Sequence, residues 1–118
     1  MKILLIISSS VGCYKALDLI REFQKQSIDY EIIVTKNTFE FISPLLLESI
    51  SRKKVYSELF DLDMEKSIGH IQLARDNTHI VVYPATANLV SKFTQGFCDD
   101  LALTCMIAAN KPIYIAPA

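Results

Sequence analysis

Apolar residues run unbroken from Ile3 to Ile7, and a small polar stretch, Ser8-Ser9-Ser10-Val11-Gly12, follows at once. A short continuous apolar run suits a strand buried on both faces of a parallel sheet. Ala16, Leu17, Ile20 and Phe23 then recur at helical spacing through about Ser27, with Lys and Arg on the other side. Tyr30 to Val34 predicts a second strand, ending in Thr35-Lys36-Asn37-Thr38. Phe39 to Ile50 reads as helical but is interrupted at Ser43-Pro44, where proline suits the first turn of a new helix. Ser51 to Ser67 has the weakest pattern; it holds Val55-Tyr56 and a charged stretch, Asp61 to Lys66, expected in a surface loop. Ile68 to Arg75 predicts a short helix, and Ile80 to Tyr83 a third strand followed by Pro84-Ala85-Thr86-Ala87-Asn88. Leu89 to Phe93 and Leu101 to Ala109 predict helices, and Ile113 to Ala116 a fourth strand.

Strands alternating with helices predict an α/β fold: a doubly wound, mostly parallel sheet with helices on both faces, in three layers. With 118 residues, 51% of them hydrophobic, the chain fits one domain, residues 1–118, with a real core. In such a sheet the loop after each strand contributes to the site. A sequence ending at Ala118, right after a strand, is therefore expected to be a truncation or to be completed by a second polypeptide.

The formal charge of −1 makes no electrostatic case for nucleic acid or a membrane surface. The longest basic block, Arg52-Lys53-Lys54, reads as a solvated loop. Met1-Lys2 and five apolar residues are too short for a signal h-region, and no run reaches transmembrane length. Cys13, Cys98 and Cys105 are odd in number and unclustered, which suggests neither a disulfide framework nor a metal site and points to a cytoplasmic location.

Ligands bind at the carboxyl edge of a parallel sheet. The loops there are Ser8 to Gly12, Thr35 to Thr38, Pro84 to Asn88 and Ala116 to Ala118. Hydroxyls, amides and little net charge favour an uncharged ring system with a phosphate over a metal. Ser8, Ser9 and Ser10 can serve a phosphate at a helix N-terminus, or can simply cap an ordinary strand-to-helix turn. The loop matches neither G-x-G-x-x-G nor the P-loop pattern, which disfavours a dinucleotide or a nucleoside triphosphate. Thr35 to Thr38 offers the same choice between cap and ligand, and so does Asn88, a candidate N-cap for the helix behind it. His70 is either a surface or core histidine or a general base, since imidazole is largely neutral near pH 7. His79, at the entry of a strand, reads as structural. Asp99-Asp100 suits a helix start.

Six motifs in order then carry a resemblance. They are Ser8-Ser9-Ser10-Val11-Gly12-Cys13-Tyr14-Lys15; Val34-Thr35-Lys36-Asn37-Thr38 with Phe41; Gly69-His70-Ile71-Gln72-Leu73; Pro84-Ala85-Thr86-Ala87-Asn88-Leu89; Gly96-Phe97-Cys98-Asp99-Asp100-Leu101; and Ala116-Pro117-Ala118. Together they resemble the flavin-containing cysteine decarboxylases, especially the phosphopantothenoylcysteine decarboxylases and the N-terminal half of the bifunctional coenzyme A biosynthesis flavoproteins. The resemblance implies a Rossmann-like flavoprotein fold and noncovalent FMN. It implies that Ser8, Ser9, Ser10 and Val11, with Thr35, Asn37 and Thr38, hold the phosphate and ribityl chain. Thr86, Ala87, Asn88 and Leu89 would line flavin and substrate, and His70 would be the catalytic base. The implied reaction is decarboxylation of phosphopantothenoylcysteine to phosphopantetheine. The flavin oxidises the cysteine side chain toward a thioaldehyde, carbon dioxide leaves, and the electrons return. The implied assembly is a homotrimer, or a multiple of trimers, with shared FMN sites.

The sequence departs from the family pattern in two places. Ser9 and Ser10 stand where glycines are usual, and serine does not easily adopt φ > 0. The family motif continues from Pro-Ala into Met-Asn, with an active-site asparagine, and a later cysteine-bearing segment closes over the substrate; this sequence ends before both. Alternative readings are a noncatalytic or partner-dependent FMN-binding protein, a flavin prenyltransferase, and a peptidyl-cysteine decarboxylase. The His-Ile-x-Leu segment argues against the prenyltransferase.

Overall fold

The structure, a computed structural model, describes residues 1–57 and 69–118, and describes side chains for 1–57 and 73–118. The expected surface loop at Asp61 to Lys66 lies outside the described residues, as does the side chain of His70.

Five strands form one parallel sheet: β1 (Lys2–Ile7), β2 (Asp29–Val34), β3 (Val55–Tyr56), β4 (His79–Ala85) and β5 (Ile113–Pro117). Their order across the sheet is β3-β2-β1-β4-β5, and every neighbouring pair is parallel. Chain order reverses at β1, whose partners are β2 on one side and β4 on the other. This is the doubly wound sheet expected, with one strand more. Val55 and Tyr56 pair with Ile32 and Ile33, which makes β3 the sheet's edge. Two residues are too few to show a hydrophobic period.

The unbroken apolar run of β1 has its cause in the layers. Ile3, Leu5 and Ile7 face one core, and Leu4 and Ile6 face the other. The first core is closed by α1 (Tyr14–Lys25) and α2 (Pro44–Ser51), through Ala16, Ile20, Phe23 and Leu47. Three further helices cover the opposite face: α3 (Gly69–Asp76), α4 (Ala87–Thr94) and α5 (Leu101–Ala108). They contribute Leu73, Ala74, Leu89, Leu103 and Met106, among others. At the far edge β5 is thinly covered: Tyr114 and Ile115, whose side chains point to opposite faces, are both exposed.

Helix starts follow local chemistry. Ser43 caps α2, its hydroxyl accepting the Leu46 amide at 3.0 Å with Pro44 in the first turn, as expected. The residues before it form a short 3-10 helix, Lys36–Glu40, in place of the α-helix expected to begin near Phe39. Asp100 caps α5 through the Leu103 amide at 2.7 Å. Gly96, at φ 79, takes the left-handed backbone that ends α4, a conformation easy for glycine. Lys111 Nζ donates to the carbonyls of Arg75 and Asn77 at 2.9 and 2.8 Å and so satisfies the C-terminal end of α3.

Candidate functional site

The helices that follow β1 and β4 pack on opposite faces of the sheet, and the connections leaving β1, β2 and β4 form a polar cradle of about 240 Å3 at its carboxyl edge. Its walls are Ser8 and Ser9 after β1, Thr35, Lys36 and Asn37 after β2, Thr86, Asn88 and Leu89 at the start of α4 (Ala87–Thr94), and Lys92 in its last turn. Asp99 and Asp100, just before α5, complete it.

Buried hydroxyls hold the loops together. The Ser8 hydroxyl donates to the Pro84 carbonyl and accepts the Thr86 amide at 3.0 Å. The Ser8 amide also donates to Pro84 O at 3.2 Å. On the β2 side, the Ile7 carbonyl accepts both the Thr35 amide at 3.0 Å and the Thr38 hydroxyl at 3.1 Å. The Thr35 and Thr38 hydroxyls are 3.0 Å apart. The carboxyl end of β1 is thus tied to the loops on both flanks.

Of the residues expected at a ligand, Ser8, Ser9, Thr35, Asn37, Thr86, Asn88 and Leu89 come together in this cradle. Four others do not line it. Thr38 is buried beneath, Ser10 caps the turn through the Gly12 amide at 3.1 Å, Val11 is exposed, and Ala87 is the exposed first residue of α4. Asn88 is not the N-cap of α4: Thr86 is, accepting the Leu89 amide at 3.2 Å, and Asn88 already lies inside the helix, free to face the cradle. His70 is the second residue of α3. That helix feeds β4 through Thr78, whose amide reaches the Lys2 carbonyl at the amino end of β1. A crossover helix runs back against its strands, so the His70 backbone lies toward the carboxyl edge, the edge of the cradle. His79 sits at the opposite edge, bonded through Nδ1 to the Thr78 hydroxyl at 2.8 Å and stacked on Tyr114.

The charged groups in the cradle were not legible as site residues. Lys92 is one helical turn beyond Asn88, and its Nζ meets Asp99 Oδ2 at 3.0 Å. Burial holds the Asp100 carboxyl above its usual range, the Leu103 amide opposes this, and the Asp99 charge adds to it. Lys36 brings a second cation. For Lys36, Asp99 and Asp100 the signal would have been position, close after a strand end or just before a helix; Lys92, in the last turn of α4, carried no such signal.

Hydroxyls, an amide and ammonium groups beside the N-terminus of α4 form a donor set suited to phosphate and sugar-alcohol oxygens. A volume of about 240 Å3 is below the roughly 300 Å3 at the small end of ligand pockets. The cradle therefore accommodates the phosphate end of a larger molecule rather than all of it.

An open parallel sheet with a phosphate-suited cradle at its switch point defines a cofactor-binding α/β protein. The chain belongs to the Flavoprotein family, which matches residues 1–118. It is 37% identical over 117 residues to the coenzyme A biosynthesis bifunctional protein CoaBC of Vibrio vulnificus. It is 35% identical over 116 residues to CoaBC of Bacillus subtilis. These alignments cover 99% and 98% of the chain but 29% of each relative, so the chain spans under a third of their length. Among solved structures, a PPC decarboxylase variant complexed with pantothenoylaminoethenethiol superposes with TM-score 0.85 at 29% identity. That match covers 99% of this chain and 66% of that one. Peptidyl-cysteine decarboxylase EpiD superposes with TM-score 0.83 at 28% identity, covering 99% and 69%. The Rossmann-like flavoprotein fold expected from the motifs is the fold observed.

Proposed function

We propose that residues 1–118 form the FMN-binding domain of a cysteine decarboxylase acting on phosphopantothenoylcysteine in coenzyme A biosynthesis. The observation that carries this reading is the cradle, built by four of the six motifs at the sheet's switch point. The similarity to CoaBC proteins and to PPC decarboxylase supports the substrate. Ser8, Ser9, Thr35 and Asn37 hold the phosphate and ribityl end, with Lys36 supplying charge. Ser10 and Thr38 act from behind, shaping the turns, while Val11 faces outward. Thr86, Ala87, Asn88 and Leu89 face the flavin and the substrate.

When bound, FMN supplies the two-electron oxidation and re-reduction of the substrate's cysteine side chain around the loss of carbon dioxide. His70 takes a proton from the substrate and returns it. The oligomer proposed is a homotrimer or a multiple of trimers with shared FMN sites. Val11, Tyr14, Phe41 and Leu45, exposed apolar side chains on segments leaving the cradle's edge, support it. The odd, unclustered cysteines fit a reducing compartment, and on that ground we place the protein in the cytoplasm; no described helix is long and apolar enough to cross a membrane.

Purified chain reconstituted with FMN should keep its visible absorbance through gel filtration and release carbon dioxide from phosphopantothenoylcysteine. His70→Asn should stay yellow and stop turning over. Colourless protein after reconstitution would overturn the flavin assignment, and normal turnover by the variant would remove His70 from the mechanism. The likeness to EpiD favours one competing substrate, a C-terminal peptidyl cysteine. Faster carbon dioxide release from a peptide than from phosphopantothenoylcysteine would establish it instead.

A further inference from the structure

Arg52 and Lys53, from the exposed basic block Arg52-Lys53-Lys54, line one side of a cleft. The cleft lies between the C-terminal half of α1, the end of α2 and the start of β2, and encloses about 600 Å3. This is the amino edge of the sheet, opposite the flavin cradle. Arg21, Arg52 and Lys53 line it, together with Gln24, Ser49 and Asp29. We propose that this cleft is a second binding site, for a small phosphate-bearing anion.

Charge is the first argument. Three cations face one carboxylate, a balance of two positive charges in a chain whose formal total is −1. Asp29 is already committed, its Oδ1 accepting Lys53 Nζ at 3.1 Å and the Tyr30 amide at 2.9 Å. Arg21 and Arg52 have no carboxylate partner among the described residues. A phosphomonoester carries close to two negative charges near pH 7, which matches the surplus. Two guanidinium forks suit phosphate oxygens bidentately.

The floor explains why these donors are spare. α1 and α2 both end here, and cations are favoured at helix C-termini. Three of the terminal carbonyls of α2, however, already have donors. Gln24 Nε2 donates to Ile50 O at 2.9 Å, and the Tyr30 hydroxyl to Ser51 O at 2.8 Å. The Arg52 amide donates to Glu48 O at 2.8 Å. Those three carbonyls are therefore already bonded. Arg52 itself holds the left-handed backbone at φ 58, where glycine or asparagine would be easier. Ile28 and Ile50 add an apolar wall for the rest of a ligand. A volume of about 600 Å3 is that of an ordinary small-molecule pocket.

The test uses the full chain with inorganic pyrophosphate as probe, followed by NMR of the arginine Nε–Hε groups. The Arg21 and Arg52 signals should shift saturably, Arg75 on α3 should not, and chloride at matched ionic strength should not reproduce the effect. Arg21→Gln should weaken pyrophosphate binding about tenfold, the scale of one lost charged hydrogen-bond pair. Arg52→Gly should do the same while thermal stability holds or rises, because glycine suits that backbone. Flavin absorbance should be unchanged in both variants, so the result stands or falls apart from the flavin reading. Equal shifts at Arg75, or unaltered affinity in both variants, would overturn the proposal. Polyglutamate binding more tightly than pyrophosphate would replace it with an acidic protein partner.

Discussion

The Ser8 hydroxyl joins the end of β1 to the turn after β4, accepting the Thr86 amide at 3.0 Å while its proton goes to the Pro84 carbonyl. Thr86 in turn caps α4, so one buried serine fixes the helix that presents Asn88, Leu89 and Lys92 to the cradle. Ser8→Ala leaves Pro84 O with the Ser8 amide but takes the acceptor from the Thr86 amide. A loss of about 1–3 kcal/mol is expected, the cost of an unsatisfied buried group, read by urea denaturation. Thr38→Val is the contrast. Ile7 O keeps the Thr35 amide, so the loss should be nearer ~1 kcal/mol. An equal or reversed order would show that the Ser8 bridge contributes nothing to stability.

Asp100 is held above its ordinary value of 3.8, chiefly by burial. A raised folded value means that the folded state binds this proton more tightly than the unfolded state. The stability so gained is fully present below 3.8 and is lost as pH rises through the raised value. Asp100→Asn keeps a good N-cap but cannot ionise. The variant should therefore gain on wild type as pH climbs from 3.8 toward neutrality, and the gap should then level off. Thermal unfolding of both proteins across that range measures it; a gap that narrows on the climb would contradict the assignment.

The three thiols differ in environment. Cys13 and Cys105 are buried and Cys98 is exposed. Burial, with the Asp100 charge nearby, pushes Cys105 up to about 12, and burial also raises Cys13. Since the thiolate is the reactive form, iodoacetamide at mildly alkaline pH should modify Cys98 alone in native protein and all three in urea. Mass spectrometry of the digested protein identifies the sites.

The cradle's ammonium groups predict a preference for a phosphorylated flavin. FMN should bind more tightly than riboflavin, and Lys36→Gln should narrow the difference by about tenfold, mainly through FMN. Fluorescence quenching titrations with both flavins would show it. A uniform loss for both would mean that Lys36 shapes the loop and does not meet the phosphate.

The strands that could be read from the sequence were those whose burial leaves a pattern. β1, β2 and β4 sit between two helical layers, so their apolar runs are hard to mistake. β5 was legible from its composition although its side chains are largely exposed. β3 was hidden because a two-residue edge strand has no periodicity; its position comes from pairing with Ile32 and Ile33. At the site, loop residues followed from the rule that strand carboxyl ends carry ligands. The choice left open at Asn88 between cap and ligand could not be made from sequence because Thr86 and Asn88 are both good caps, and only backbone geometry, which gives the cap to Thr86, separates them. Lys36, Lys92, Asp99 and Asp100 looked like ordinary solvated charge or helix capping, since nothing in a linear pattern shows that three connections converge.

The strand order also governs how the domain is made. β1 precedes the other four strands of this sheet in the chain, yet it lies in the middle of the sheet, with one neighbour close in sequence and the other distant. Lys2 and Thr78, whose groups bond where β1 meets β4, are separated by 76 positions. On a ribosome, β1, α1 and β2 emerge together and can pair early, while the second edge of β1 stays open until β4 arrives. Until then the nascent chain carries an apolar, unpaired strand edge, the feature that invites intermolecular pairing. The cradle is assembled only when that edge closes, so its formation coincides with the end of this exposure.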